Sequence, residues 1–276
     1  MGIVNVTPDS FSDGGRYLEV DDAVAHGLSL VAAGAGLLDV GGESTRPGAT
    51  PVSEADELAR VLPVIRRLAS DAGVPVSIDT TKAAVAHAAL DIGATIVNDV
   101  TAGRGDAAML GVVADAGAGF VAMHMRGEPR TMQHDTSYDD VVVEVSDFLA
   151  ERVSVAVDAG VARDAIAVDP GIGFAKLAEH NLELLARLRE LVDALDVPVL
   201  VGTSRKAFLG TVLADANPRV HGADIDPTAR DDATLATVMW AIDHGASIVR
   251  VHDVEPAVHA VRLWRALLDL DAAAVA

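Results

Sequence analysis

The chain has 276 residues, and 41 acidic against 21 basic side chains give it a formal charge of −20. This balance argues against a nucleic-acid-binding protein, because such proteins neutralise phosphates with a basic surface. Half of the residues are hydrophobic, only 3% are aromatic and none is cysteine, which excludes disulfides, thiolate metal sites and a cysteine nucleophile.

The sequence has no run of 18 uninterrupted apolar residues, and its first residues lack the basic head of a signal peptide. We therefore expect a cytoplasmic protein with no membrane partner.

Short β-rich runs recur along the chain, and each is followed by a longer segment rich in Ala, Leu and Val with helical spacing. Eight strands are predicted, at 3–7, 37–42, 76–80, 94–100, 120–125, 165–170, 197–204 and 247–253. Small-residue turns such as Gly93-Ala94 and Gly245-Ala246 precede several of them, as expected for helix C-caps.

Alternating strands and helices imply parallel strand pairing with right-handed crossovers. Eight such units in a chain of this length predict an α/β protein with a closed (β/α)8 TIM barrel, forming a single domain over residues 1–276. An open doubly wound sheet is the alternative. The polar stretch 217–232 is predicted to be a long loop and the start of the helix that follows it.

In such a barrel the active site lies at the carboxyl ends of the strands. Every predicted strand ends in polar residues: Asn5 with Thr7, Asp39, Asp79, Asn98 with Asp99, His124, Asp169, Ser204-Arg205-Lys206, and Arg250 with His252. One polar residue after a strand is ordinary, because turns and helix N-caps favour Asp, Asn, Ser and Thr. Eight together predict a shared polar mouth at one end of the barrel.

The residues of this mouth divide into two chemical groups. Asp79, Asn98 and Asp169 offer hydrogen bonds without a cation, which suits a flat heterocycle with a guanidine-like edge. The cationic group suits the oxygens of a phosphorylated ligand, and it consists of Lys206, Arg250 and His252, with Arg205 and Arg46 as further candidates. Asn5 supplies a neutral oxygen of the kind that Mg2+ takes beside substrate phosphates and water.

Segments 7–15 and 41–49, after the first two predicted strands, are rich in Gly, Pro, Ser and charged residues. That composition is typical of loops that close over a site. Phe11 and Arg46 are unusual among such turn residues, and their presence favours a functional loop over a solvated turn. Segment 125–133 is similar in character.

The strand-end motifs, in chain order, are NVTPDSFSDGG at 5–15, DVGGESTRPG at 39–48, SIDT at 77–80, ND at 98–99, MHMRG at 123–127, DPGIGF at 169–174, TSRK at 203–206 and RVHD at 250–253. Through them the sequence resembles the dihydropteroate synthase family over nearly its whole length. The resemblance implies a barrel enzyme that, with Mg2+ assistance, joins 6-hydroxymethyl-7,8-dihydropterin diphosphate to 4-aminobenzoate, giving dihydropteroate and pyrophosphate. It also implies a sulfonamide target and a homodimer.

The resemblance further implies a role for each matching residue. The pterin ring would be bound by Asp79, Asn98, Asp169 and Lys206, with Asp169 facing its guanidine-like edge. Asn5 would ligate Mg2+ on the diphosphate, whose oxygens Arg250 and His252 would also hold. The aminobenzoate pocket would be bounded by Phe11, Thr45, Arg46, Pro47, Phe174, Ser204 and Lys206. Asp13 and Arg46 would belong to the closing loops and act in catalysis with Lys206, Arg250 and His252.

Two other readings compete with this one. A pterin-barrel methyltransferase acting on methyltetrahydrofolate would not need the cationic clusters around Lys206 and Arg250. A catalytically silent paralogue would be expected to have lost some of Asn5, Lys206 or Arg250, yet all are present. The sequence departs from the family at Ala175 and Leu177, where many members carry Gly and Thr, and Leu177 is expected to alter the rim of the aminobenzoate pocket.

Overall fold

Eight short strands alternate with ten helices in the computed structural model, which describes residues 1–6, 16–45, 49–127, 131–132, 135–215 and 225–275. The strands are β1 Gly2–Asn5, β2 Leu38–Gly41, β3 Val76–Asp79, β4 Ile96–Asp99, β5 Gly119–Met123, β6 Ile166–Asp169, β7 Leu200–Val201 and β8 Ile248–Val249. The helices are α1 Arg16–Ala32, α2 Glu54–Asp71, α3 Ala83–Asp91, α4 Met109–Ala116, α5 Val141–Asp158, α6 Ala178–Ala186, α7 Leu188–Leu195, α8 Ala207–Asp215, α9 Asp231–Asp243 and α10 Val254–Val275. Short 3-10 helices lie at Arg163–Ala165 and Pro227–Arg230.

The strands form a closed ring. β1 to β6 pair in chain order and in parallel, and β7 pairs in parallel with β8. The first remaining gap is bridged by the Val168 amide, which donates to the Pro198 carbonyl at 2.9 Å. The second is bridged by Val251, whose amide donates to the Met1 carbonyl at 3.0 Å. The predicted (β/α)8 barrel is therefore confirmed, and the open sheet is excluded.

Each predicted strand overlaps an observed one, but the last two are much shorter than predicted. β7 and β8 contain two residues each. After β7 the chain turns at residues 203–206, whereas after β8 single ladder contacts continue, since the Arg250 amide donates to the Val201 carbonyl and Val251 bridges to Gly2. The predicted C-cap turns are confirmed: Gly93 and Gly245 have φ of +115° and +98°, a left-handed conformation that glycine adopts without strain.

Side chains along each strand alternate between the outside and the inside of the barrel, and this alternation produces two apolar layers. Outward-facing residues such as Val4, Val40 and Ile78 join the large core between the barrel and its helices. A small separate cluster is built from Val121, Ala167 and Leu200, with Met1, Ile96 and Ile248 packed against it. Within the described residues, no helix is long and apolar enough to cross a membrane.

Candidate active site

A buried ionic cluster occupies the mouth of the barrel. Arg250 directly follows β8, and its Nε donates to Oδ2 of Asp39 at 2.6 Å, while its terminal nitrogen donates to Oδ2 of Asp79 at 3.0 Å. The Nδ2 of Asn98 donates to the same oxygen of Asp39 at 3.0 Å. Residues on or next to four strands, β2, β3, β4 and β8, are thus joined by one hydrogen-bonded network.

This network brings the two predicted chemical groups into direct contact, because a cation of one group pairs with a carboxylate of the other. Asp39 had been noted only as a polar strand end, with no role, yet it is fully buried and accepts from both Arg250 and Asn98. Its Oδ1 has no partner among the described residues. The sequence signal for this role is the position of Asp39 itself, since a carboxylate within an otherwise apolar strand indicates a buried counter-ion.

Burial sets the protonation behaviour of the cluster. Desolvation and the charge of Asp39 raise the pKa of Asp79 to about 7, against the opposing influence of Arg250. Desolvation alone would lower the pKa of Arg250, but the charges of Asp39 and Asp79 outweigh it and raise that pKa above its ordinary value. Arg250 therefore stays charged, while Asp79 titrates near neutral pH.

The raised pKa of Asp79 makes folding stability depend on pH. Between the ordinary value of 3.8 and about 7 the folded chain keeps a proton that the unfolded chain releases, so stability falls as pH rises through this window. We expect Asp79→Asn to reduce the stability lost between pH 5 and pH 8 by about 2 kcal/mol. Urea unfolding at both pH values measures this difference.

The control is Asp22→Asn, which makes the same change at an exposed position of α1. It should leave the pH dependence of the parent unaltered. An Asp79→Asn variant that lost as much stability between the two pH values as the parent would contradict the assignment.

The wall opposite this cluster is formed by Asp169 and Lys206. Oδ1 of Asp169, the last residue of β6, accepts from the Gly171 amide at 2.7 Å, and its other oxygen has no partner among the described residues. Nζ of Lys206 donates to the Ile172 carbonyl and lies 4.8 Å from the centre of the Phe174 ring.

Electrostatic interactions join this wall to the cluster around Arg250. Burial raises the pKa of Asp169, while the charges of Lys206 and Arg250 act in the opposite direction. Burial lowers the pKa of Lys206 to about 8, and Arg250 adds to that decrease. The chain segments that carry these three residues therefore meet at one mouth, as the barrel prediction required.

Ser204 and His252 form a hydrogen-bonded pair at the ends of β7 and β8. The hydroxyl of Ser204 accepts from the His252 amide at 3.1 Å and lies 2.9 Å from Nδ1 of the same residue. The second ring nitrogen of His252, Nε2, can as an N–H group donate a hydrogen bond to an anion.

Arg205 does not join the cationic group as the sequence suggested. Its guanidinium forms a bidentate ion pair with Asp231 at 2.8 and 2.9 Å, and its backbone is left-handed, with φ of +60°. Its carbonyl accepts from Arg230 at 2.9 Å, and its amide donates to Thr234 at 3.0 Å. Arg205 therefore holds the turn that presents Ser204 and Lys206.

The remaining predicted site residues are only partly described. Asn5 ends β1 and is half-buried, and Thr45 is half-buried after β2. Phe11, Asp13, Arg46 and Pro47, together with Thr7, lie outside the described residues. Within the described part of the chain, no group of three or more His, Asp or Glu residues could hold a metal ion.

The segment that contains Thr45 is anchored at both ends by a buried ionic cluster. Nζ of Lys82 donates to the carboxylates of Glu43 and Glu57, at 2.5 Å each. The other oxygen of Glu43 accepts from the Val52 amide at 3.0 Å. One side chain therefore ties residue 43 to residue 52, which fixes where this segment leaves and rejoins the barrel.

Lys176 is a second buried cation that the sequence analysis did not single out. It is 3% exposed, and its Nζ lies 2.9 Å from Nδ1 of His124, the polar residue after β5. Burial lowers the pKa of Lys176 well below its ordinary value and that of His124 to about 2, with the charge of Lys176 contributing to the second decrease. The imidazole of His124 is therefore neutral.

Comparisons with known proteins agree with this geometry. The sequence model of a family described as pterin binding enzyme matches residues 1–252. The dihydropteroate synthase of Mycobacterium leprae is 51% identical over 269 residues, which are 97% of this chain and 93% of that protein.

Solved structures are similar over the same length. A Xanthomonas albilineans dihydropteroate synthase with 4-aminobenzoic acid superimposes with a TM-score of 0.88 at 46% identity, covering 97% of this chain and 92% of that one. The same organism's enzyme in complex with 7,8-dihydropteroate gives a TM-score of 0.84 at 42% identity, again covering 97% and 92%.

Proposed function

The chain belongs to the dihydropteroate synthase family, and from that membership we infer that it condenses 6-hydroxymethyl-7,8-dihydropterin diphosphate with 4-aminobenzoate. The products are 7,8-dihydropteroate and pyrophosphate, so the enzyme is a transferase of folate biosynthesis that moves a pterinylmethyl group to an arylamine. The observation that carries this function is the convergence of Asp79, Asp169, Lys206 and Arg250 at one mouth of the barrel.

A coupled assay that follows pyrophosphate release tests this function. Release should require both substrates, and it should begin when 4-aminobenzoate is added to the pterin diphosphate. Transfer of a methyl group from methyltetrahydrofolate, without pyrophosphate release, would favour the methyltransferase reading instead. That reading has no support in the site, because an uncharged methyl group does not require the cations Lys206 and Arg250.

The pterin ring is proposed to bind between the carboxylates and amide at the ends of β3, β4 and β6. Asp169 has one oxygen without a partner among the described residues, and it is buried, so it can accept N–H donors from the guanidine-like edge of the ring. Asp79 and Asn98 lie on β3 and β4, which pair with each other. Lys206 would complete the pocket from the turn after β7.

The diphosphate is proposed to lie against Arg250 and His252. The exocyclic C–O bond breaks with its electron pair on the departing diphosphate oxygen, while the pterin nitrogens stabilise the positive charge left on the CH2 group. Arg250 neutralises charge on the leaving group, His252 donates a hydrogen bond to it, and the carboxylates of Asp79 and Asp169 favour the cation electrostatically. The arylamine nitrogen then forms the new C–N bond and loses a proton to solvent.

No protein nucleophile is needed, so this chain acts by binding, orientation and exclusion of water. Water would otherwise capture the pterinylmethyl cation.

Mg2+ is proposed as the metal of the reaction, with Asn5 as its protein ligand. The side-chain amide of Asn5 is a half-buried hard oxygen donor at the end of β1, which suits a cation that takes its other ligands from diphosphate and water. The ion would supply charge neutralisation of the leaving group when bound.

The aminobenzoate pocket is proposed to lie beside Phe174, Ser204 and Lys206, with Thr45 approaching from the segment after β2. The roles assigned to Phe11, Asp13, Arg46 and Pro47 stay predictions, because these residues lie outside the described part of the chain.

We expect 4-aminobenzoate to bind only weakly unless pyrophosphate and Mg2+ are present. The reason is that a bound anion would draw the loops that carry Asp13 and Arg46 over the mouth and complete the pocket. Titration calorimetry of 4-aminobenzoate, or of a sulfonamide, with and without pyrophosphate measures the effect, which should be about tenfold or more in Kd. Equal affinities in the two conditions would contradict this order of assembly.

A cytoplasmic homodimer is also proposed. The homodimer has support on the surface of α10, where Leu263, Leu267 and Leu270 are 63%, 58% and 69% exposed and recur at helical spacing. An apolar stripe of this kind is typical of a helix that packs against a partner.

A further inference from the structure

We propose that Lys176 is a positioning residue for the aminobenzoate pocket: its buried amine fixes the backbone of segment 171–176, which carries Phe174. The inference rests on the proposed function, because it assigns Phe174 to the aminobenzoate side of the site. It concerns a residue that contacts neither substrate in that proposal.

The contacts of Lys176 are those of a backbone clamp. Nζ donates to the Gly171 carbonyl at 3.1 Å and to the Phe174 carbonyl at 3.0 Å, and it lies 2.9 Å from Nδ1 of His124. Among the described residues no carboxylate is in direct contact with it. Three uncharged polar groups surround the buried amine, and each lies within hydrogen-bond distance of it.

The segment that Lys176 clamps has no regular secondary structure to hold it. Gly171, Gly173 and Ala175 all have positive φ, of +67°, +84° and +52°, and for Ala175, which has a Cβ, this conformation is strained. A Cβ on Gly171 would lie 1.9 Å from the His124 carbonyl oxygen, so the segment is pressed against the end of β5. Strained backbone of this kind persists only when its surroundings over-determine it.

Side chains supply most of the hydrogen bonds to the carbonyls of the segment, and one backbone bond adds to them, from the Phe174 amide to the Gly171 carbonyl at 3.0 Å. Lys206 bonds the Ile172 carbonyl, and the Tyr138 hydroxyl donates to the Ala175 carbonyl at 3.1 Å. Lys176 alone bonds two of them, those of residues 171 and 174. Removing its amine leaves the Phe174 carbonyl without a partner among the described residues, and it leaves the Gly171 carbonyl with the Phe174 amide alone.

The effect should fall on one substrate more than on the other. The Phe174 ring packs against Lys206 and moves with the segment. Asp79, Asn98 and Asp169 lie on strands whose positions are set by the barrel ladder. Loss of the clamp should therefore disturb the aminobenzoate pocket and leave most of the pterin pocket in place.

Lys176→Met keeps the length and apolar stem of the side chain but removes its donors. We expect the KM for 4-aminobenzoate to rise about tenfold or more, while the KM for the pterin diphosphate changes by less than about threefold. Steady-state kinetics with each substrate varied in turn gives both values. Should Lys176→Met fail to fold by circular dichroism, Lys176→Gln, which keeps an N–H donor on a shorter side chain, is measured in its place.

A chemical rescue separates positioning from general structural damage. Because the chain has no cysteine, Lys176→Cys places a single thiol, which can be alkylated in denaturant before refolding. Aminoethylation recreates a lysine-like amine, whereas ethylation gives a side chain of similar length without one. The aminoethylated protein should recover the KM of parent enzyme that has been refolded in the same way, and the ethylated protein should resemble Lys176→Met.

The proposal is overturned if the Lys176 variant keeps the parent KM for 4-aminobenzoate, if both KM values rise equally, or if the two alkylated proteins behave alike. Failure of the parent itself to release pyrophosphate would instead refute the proposed function. The two failures are therefore distinguishable.

Discussion

Arg250→Ala is expected to lower kcat/KM for the pterin diphosphate by about 100-fold or more. Arg250 is the cation that would neutralise the leaving group, and its guanidinium is only 22% exposed, so water cannot replace it effectively. The same substitution leaves Asp39 and Asp79 as neighbouring buried carboxylates without their counter-ion. We therefore also expect a loss of folding stability of about 3 kcal/mol.

A conservative variant distinguishes the two effects. Arg250→Lys keeps a positive charge but cannot bond Asp39 and Asp79 from a rigid planar group, so stability should recover more than activity. Arg262→Ala, at an exposed position of α10, is the matched control and should change neither quantity. Pyrophosphate release and urea unfolding provide the two readouts. Parent-like kcat/KM in Arg250→Ala would remove Arg250 from the proposed mechanism.

The fold was predictable because its signals are local. Strand runs followed by segments of helical spacing repeat eight times, small-residue turns precede several of the strands, and parallel pairing follows from the alternation of strands and helices. The two shortest strands were overpredicted for a physical reason: the residues after Val201 form a turn, and those after Val249 keep only single bridging contacts with the neighbouring strands. Strand propensity does not predict where the pairing ends, because the end of the pairing depends on how the barrel closes.

The sequence pattern indicates which strands carry polar residues near the mouth, but it does not indicate which of these residues contact each other. Asp79 and Arg250 contact each other at the mouth of the barrel, although the sequence pattern places them in separate chemical groups. Their direct contact depends on closure of a ring between residues 171 positions apart, which a sequence pattern does not report. Asp39 was left without a role for the same reason, since its counter-ion is 211 positions away.

Lys176 illustrates a different limit of sequence reading. It lies in a segment where the neighbouring Ala175 and Leu177 attracted notice as departures from the family pattern. A lysine between them was unremarkable, because lysines are usually exposed. Only the left-handed backbone of the segment turns its side chain inward, towards His124. Leu177 itself is 47% exposed and packs outside the buried part of the segment.

Asp169→Asn is the second substitution with a large expected effect. Asp169 is 6% exposed and uses one oxygen to accept the Gly171 amide, which leaves the other to accept from the pterin ring. An asparagine can keep the first bond only by turning its NH2 group towards the ring, where it would face another donor. We expect affinity for the pterin diphosphate to fall about 30- to 100-fold, the loss of one buried charge-assisted hydrogen bond together with its replacement by a donor clash.

Calorimetry with the pterin diphosphate measures this loss directly. The matched control is Asp164→Asn, the same change in the 3-10 helix that precedes β6, at the opposite end of the strand and exposed to solvent. It should bind the pterin diphosphate like the parent. Because Asp169 does not belong to the cationic group, the variant should also retain its affinity for pyrophosphate. A variant that lost both ligands equally would indicate collapse of the mouth, and one that lost neither would place the pterin ring elsewhere.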